Sequence, residues 1–490
     1  PIVGGDVEIE NVDLTATNTD NEGYLWLSGQ GKLELKNSDL TTSADAASQA
    51  AFLGNPDLMY GLVGIAFNQG VTITDSSIEA GTVVSINNTN LKDTDTPLGY
   101  NYARGAAGNI NISSTALGGD AITAQINITI GNDFRTGTVG LDNMTLTGTQ
   151  DIANNVGASI VITSWGDIDL NESLLQTAWT TPDARGSGSI NLRSHTGTEI
   201  TDTDILAGTE IEIKNLDMAS PSYAATGAIT TDDNSTISSS NSSIFVQNVA
   251  GFGGDITLES DQISAHTDIT IRGGRATDPG AVITIGDDLT DTMTATTGKI
   301  DILATSGHIV TNAILSADTN MIMEATGGGH ITINNNMTAT QGYIDVDTLG
   351  ILAINDATLS AINAGADIML NAGQAMTLTN ATLTGDNNVW LHTAGHDGHP
   401  GDITFTNSGV TSNNGAVDVY AAFNGDVMTP PSTITMDANS SITASSGWVT
   451  MSAGLETTVA NIAASGDILL ETRTDSPGNK LNVIGPVSST

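Results

Sequence analysis

One short phrase restarts along the whole chain. A glycine opens it, two aliphatic or β-branched residues with one polar residue between them follow, and Asn or Asp closes it. Examples are GDVEIEN from Gly5, GKLELKN from Gly31, GVTITDS from Gly70 and GDITFTN from Gly401. Further starts fall at Gly108, Gly137, Gly166, Gly197, Gly227, Gly254, Gly280, Gly307, Gly329, Gly350, Gly373, Pro431, Leu455 and Lys480. The intervals average about 28 residues, and self-similarity at such a period marks a solenoid. In a solenoid each unit buries its apolar face only by stacking on its neighbours.

Each unit holds three short apolar alternations. From Gly401 they read GDITFTN, SGVTSNN and GAVDVYA; from Gly329 they read GHITINN, NMTAT and GYIDVDT. A period of two over so few residues predicts a strand with one face buried. Gly, Asn, Asp and Ser fill the joints, where they make corners. Three strands per unit, without helical periodicity and without two-residue hairpin turns, predict an all-β parallel β-helix rather than a β-sandwich. About 17 rung intervals at ~4.8 Å each make one rod-like domain over residues 1–490, roughly 80 Å long. The alternation assigns inward columns. Ile256 and Leu258, Ile283 and Ile285, Ile331 and Ile333, Ile403 and Phe405, and Ile434 and Met436 form one. Ile300 and Ile302, Ile344 and Val346, Val389 and Leu391, Val417 and Val419, and Val449 and Met451 form another.

The chain carries 55 acidic and 13 basic residues, a net charge of −42. A periodic hydrophobic fraction of 39% separates it from disordered acidic chains. Neutralising phosphates needs Lys and Arg, so nucleic acid is excluded as a partner, and an anionic membrane surface is disfavoured. No run of apolar residues is long enough to insert in a membrane. Divalent cations such as Ca²⁺ suit the acidic corners as counterions; no other cofactor is indicated. There is no cysteine. Neither end reads as a polar cap, which points to copies of the chain stacked end to end, or to the rest of a longer chain, as the partner.

Regularity is greatest over 254–490. Longer insertions occupy 41–69 and 91–107; the first begins with an Ala-rich stretch suited to a short helix. Tyr343, Trp390, Tyr420 and Trp448 recur as outward aromatics of third strands, placed to line one face, and rings on an exposed face suit surface glycans or lateral contact with another solenoid. Tyr24 and Trp26 begin a similar patch near the other end. His392, His396 and His399 crowd one corner with Asp397, a donor set open to Zn²⁺ although its spacing follows no standard motif. His308 and His330 hold equivalent places and should stack one rung apart. A carboxylate pair for sugar hydrolysis is an alternative that the many corner Asp residues leave open.

The phrases GDITLESDQISAHTDITIRG (Gly254–Gly273), MTLTNATLTGDNNVWLHTAG (Met376–Gly395) and GDILLET (Gly466–Thr472) resemble the filamentous-hemagglutinin-like repeats of large secreted bacterial adhesins. The resemblance extends over nearly the whole chain. It implies a right-handed parallel β-helix, export to the cell surface, and a non-catalytic role as a stalk or adhesin that meets other cells. The family's amino-terminal secretion domain, with its Asn-Pro-Asn-Gly motif, is not present in this sequence.

Overall fold

The computed structural model describes residues 2–17, 23–45, 47–49, 51, 60–88, 108–116, 119–133, 137–149, 158–178, 188–216, 225–250, 254–274, 281–395, 399–421, 432–472 and 479–489. The chain divides into two compact units, one of residues 1–250 with 260–262, the other of 251–259 with 263–490.

Both units have the same plan. The chain winds in coils, and each full coil gives one strand to each of three parallel sheets. In the first unit the strand Val7–Glu10 pairs with Leu33–Lys36, which pairs with Val71–Thr74, so that Val7, Leu33 and Val71 align. In the second unit Leu352–Asn355 pairs with Met376–Thr379, and that with Ile403–Thr406. Every phrase start lies at, or a few residues before, a strand of this first sheet. The second and third sheets repeat the ladder, as in Thr382–Gly385 with Gly409–Ser412 and Ile368–Ala372 with Val389–Thr393.

Alternation within each strand builds the core. The inward columns expected from the sequence are buried throughout, with Ile256 on Ile283, Ile403 on Ile434 and Val389 on Val417. Removing each such side chain from water stabilises by about 1.5–3 kcal/mol, which offsets the ordering of the short strands.

The Asn or Asp that closes the phrase makes the corner between the first and second sheets. Asn37, Asn143 and Asp202 in the first unit, and Asp356, Asn380 and Asn407 in the second, have φ between 46° and 52°. This left-handed region is strained for most side chains, but Asn and Asp enter it readily. The next residue is often a buried Ser or Thr whose hydroxyl bridges coils. The Ser38 N–H donates to Ser76 Oγ at 3.0 Å, Ser173 N–H to Thr203 Oγ1 at 3.1 Å, and Ser408 N–H to Ser440 Oγ at 3.1 Å. The hydroxyls of Ser38, Ser173, Thr203 and Ser408 each donate to the carbonyl two residues back, at 2.8–2.9 Å. The polar corner atoms are thereby satisfied without water.

In the first insertion, residues 47–49 are helical as the Ala-rich stretch suggests. Gln49 is buried there and donates to the carbonyl of Gly81, which ties the insertion to the side of a coil. The second insertion, 91–107, lies outside the described residues. In the last coil, strands Lys480–Val483 and Val487–Ser489 keep the register, and Leu481, Val483 and Val487 are exposed.

Candidate functional site

The outer face of the third sheet in the second unit brings together three of the residues singled out by sequence, Trp390, His392 and Tyr420. It runs through the adjacent strands Ile344–Thr348, Ile368–Ala372, Val389–Thr393 and Val417–Tyr420. Each strand turns two side chains outward between inward aliphatic ones. The registers set them in two columns: Asp345, Met369, Trp390 and Asp418 in one, and Asp347, Asn371, His392 and Tyr420 in the other. Neighbours within a column sit one coil, about 4.8 Å, apart.

Contacts lock this grid. The Trp390 indole N–H donates to Asp418 Oδ2 at 3.2 Å. His392 meets the Tyr420 ring edge-to-face, with centroids 5.2 Å apart and planes at 73°. Burial lowers the His392 pKa, and the Asp418 charge opposes this only in part, so the imidazole is neutral at pH 7. Burial, then the charges of Asp347 and Glu324, push the Asp345 carboxyl above the ordinary range. Asp347 is exposed as a residue, yet desolvation of its carboxyl raises its pKa also. Asp347, Asn371 and His392, with the corner residues Leu349, Gly373 and Ala394, line a groove of ≈ 220 Å³.

The four aromatic candidates are not one stack. Trp390 and Tyr420 occupy different columns of adjacent strands, close enough to share the grid. Tyr343 and Trp448 stand at the corner that enters the sheet, one residue before Ile344 and Val449. Trp448 is 54% exposed and, with Thr450, Asp467 and Leu469, borders a broad depression of ≈ 710 Å³ farther along the same sheet. In the first unit Trp26 packs against Leu62, Val83 and Ile126 and lies over Gly64, where a Cβ would fall 2.2 Å from the indole. It closes the side of a coil there, while Tyr24 is exposed.

Of the metal candidates, His392 belongs to a strand and faces Tyr420, and His399 is exposed; His396 and Asp397 lie outside the described residues. Among the described residues, three carboxylates converge elsewhere, where ligand atoms of Asp287, Asp288 and Asp291 lie within 4.8 Å of one another. Desolvation raises the Asp291 pKa, opposed by the N–H groups of Asp287 and Asp288 that donate to it. His308 and His330 stack as expected, with centroids 4.8 Å apart and planes at 10°.

Sequence reasoning named Trp390, His392 and Tyr420 but missed Asp345, Asp347, Asn371 and Asp418. Their signal is the outward phase of GYIDVDT, ADIMLNA and GAVDVYA, the strands on either side of NVWLHTA. No protein-family model, no curated protein and no solved structure matches this chain.

Proposed function

We propose that this chain is a non-catalytic adhesin-type solenoid, displayed outside the cell, that holds glycans along the outer face of the third sheet of its second unit. The observation that carries this reading is the Trp390–Asp418 and His392–Tyr420 grid on rigid, adjacent strands. Aromatic faces suit the apolar faces of sugar rings, while Asn and Asp beside them accept or donate hydrogen bonds to hydroxyls. A surface fixed by core packing loses little conformational entropy on binding. The resemblance to hemagglutinin-like repeats supports the surface location and the scaffold role.

Glycan-array and cell-adhesion binding of Trp390→Ala combined with Trp448→Ala tests the reading. A loss of signal of tenfold or more is expected, about 1.4 kcal/mol. Unchanged signals would remove the face from consideration. Release of reducing ends from a polysaccharide panel would replace adhesion with hydrolysis.

A further inference from the structure

We infer that the grid selects a polycationic glycan, an amino-sugar polymer whose amines are free rather than acetylated. This rests on the glycan-binding reading above and names the chemistry it would take.

Charge complementarity is the first argument. No Lys or Arg occurs between Lys299 and Arg473, a stretch that contains every strand of the grid and of the Trp448 depression. Among the described residues, the two cations preceding that stretch are engaged: Arg272 Nη2 and Lys299 Nζ both contact Asp301 Oδ2, at 2.7 and 2.9 Å. Uronic, sialic and sulfated sugars need cations to read their acids, and this face has none to offer. Neutral His392 adds no positive charge.

The second argument is what the face does offer. Asp345 and Asp347 are two residues apart on one strand, both outward, and Glu324 on the adjacent strand adds a further like charge. An ammonium group placed between them relieves that repulsion, whereas an acetamido or hydroxyl group does not. Two coils further along the same face stands Trp390, whose indole attracts a cation and covers a sugar ring. Asn371 and His392 line, with Asp347, the groove along the neighbouring column, with hydrogen-bonding groups for hydroxyls. Acids at Asp345 and Asp418 thus flank Met369 and Trp390 along the stacking direction, a run that a linear polymer carrying amines can follow. A flexible cationic peptide would satisfy the acids but has no ring for the indole.

The test is titration of the full chain at mildly acidic pH with four probes of equal length. These are a fully deacetylated glucosamine hexamer, its N-acetylated counterpart, a galacturonate hexamer and hexalysine. The free-amine hexamer is expected to bind at least tenfold more tightly than the acetylated one, with affinity falling as salt rises, and the galacturonate not at all. Asp345→Asn combined with Asp347→Asn should remove that tenfold preference, so that the two glucosamine hexamers bind the variant alike. Trp390→Ala should weaken both sugars. Equal binding of the two hexamers by the native chain overturns the inference and leaves the glycan reading standing. Hexalysine binding as tightly as the free-amine hexamer, unaffected by Trp390→Ala, also overturns it, as simple charge attraction. No binding of any glycan overturns both. The comparison of probes on the native chain needs no variant to fold.

Discussion

The two units close the same corner with opposite chemistry. Where the third-sheet strand ends, the first unit buries Asn88, Asn132, Ser164, Ser194, Asn215 and Asn248. The second unit places Ala304, Ala325, Ala372 and Ala453 there, with Thr348 and Thr393 between them. The choice follows the length of the return to the first sheet. After Ser164 and Ser194 the next strand begins at Asp167 and Gly197, whereas after Asn88, Asn132 and Asn215 it begins at Ile110, Val139 and Ile229. Asn132 donates to the carbonyls of Gly108 and Thr138 at 2.8 and 2.9 Å, and Asn215 to those of Thr226 and Gly227 at 3.1 Å. In the first unit an amide therefore reaches across to the backbone that re-enters after a detour and a hydroxyl serves a tight return; in the second a methyl suffices at short returns such as Ala304 to His308, and over the long return to Ile403 the Thr393 hydroxyl donates to the Gly401 carbonyl. The buried Asn is a fastener for long excursions.

Transplanting the fastener is the harshest way to break this comparison. Ala304 is fully buried, and its coil returns at His308. Ala304→Asn puts an amide where no detour supplies carbonyls, which costs about 1–3 kcal/mol for the unpaired group. Overpacking adds about 1–3 kcal/mol. Denaturant unfolding should show the sum as the largest loss among the variants considered; a loss below about 1 kcal/mol would refute the length rule. The converse, Asn132→Ala, removes the two hydrogen bonds its amide donates and the one its Oδ1 accepts from Asn88 Nδ2 at 3.3 Å, for a loss of about 2 kcal/mol. Its effect on amide exchange should be concentrated around residues 137–142, where the chain re-enters.

The coil plan was legible in the sequence because its causes are local. Glycine starts, two-residue alternation and an Asn or Asp at the close each act within a few residues, so the inward columns around Ile256 and Val389 followed directly. The outer face was only half legible. A one-residue difference in phase puts Trp390 on the sheet and Trp448 at its entrance, although both occur in similar aromatic-aliphatic phrases. His392 drew attention through the His-rich corner after it, when its own place is the outward phase of VWLHT. Which side chains meet across coils depends on register over two dozen residues, and single-strand patterns do not contain that information. The Asn fasteners were visible as residues but not as a set, since their meaning lies in the length of the return.

A milder contrast asks where the units agree. Both use an Asn in the left-handed region at the first corner, Asn37 with φ 46° and Asn380 with φ 52°. Val at either place costs about 1–2 kcal/mol from Cβ crowding, while Gly should be nearly neutral. Equal losses for Asn37→Val and Asn380→Val, by denaturant midpoint, would confine the difference between the units to the third corner. A much larger loss in one unit would show that the first corner also differs.

The smallest expected effect separates one coil of each unit by pH. At the corner that leads into the first sheet, Asp6 accepts the Lys32 N–H at 2.9 Å in the first unit. In the second unit His308 Nδ1 accepts the His330 N–H at 2.9 Å, and His330 Nδ1 accepts the Ile351 N–H at 2.7 Å. An accepting Nδ1 requires the proton on Nε2, so a second proton would face the backbone N–H and charge one of two stacked rings. Burial, with the charge of His308, lowers the His330 pKa below its ordinary value. The unfolded chain then binds more protons than the folded one as pH drops through about 6.5, so this coil loses stability on acidification and keeps it above that value. Amide-exchange protection at Ile351 should therefore fall between pH 7 and pH 5, and further than that at Lys32. His330→Gln, which keeps an acceptor but cannot titrate, should flatten the response; protection that fell equally at Lys32 and Ile351 would assign the acid effect to the net charge of the chain instead.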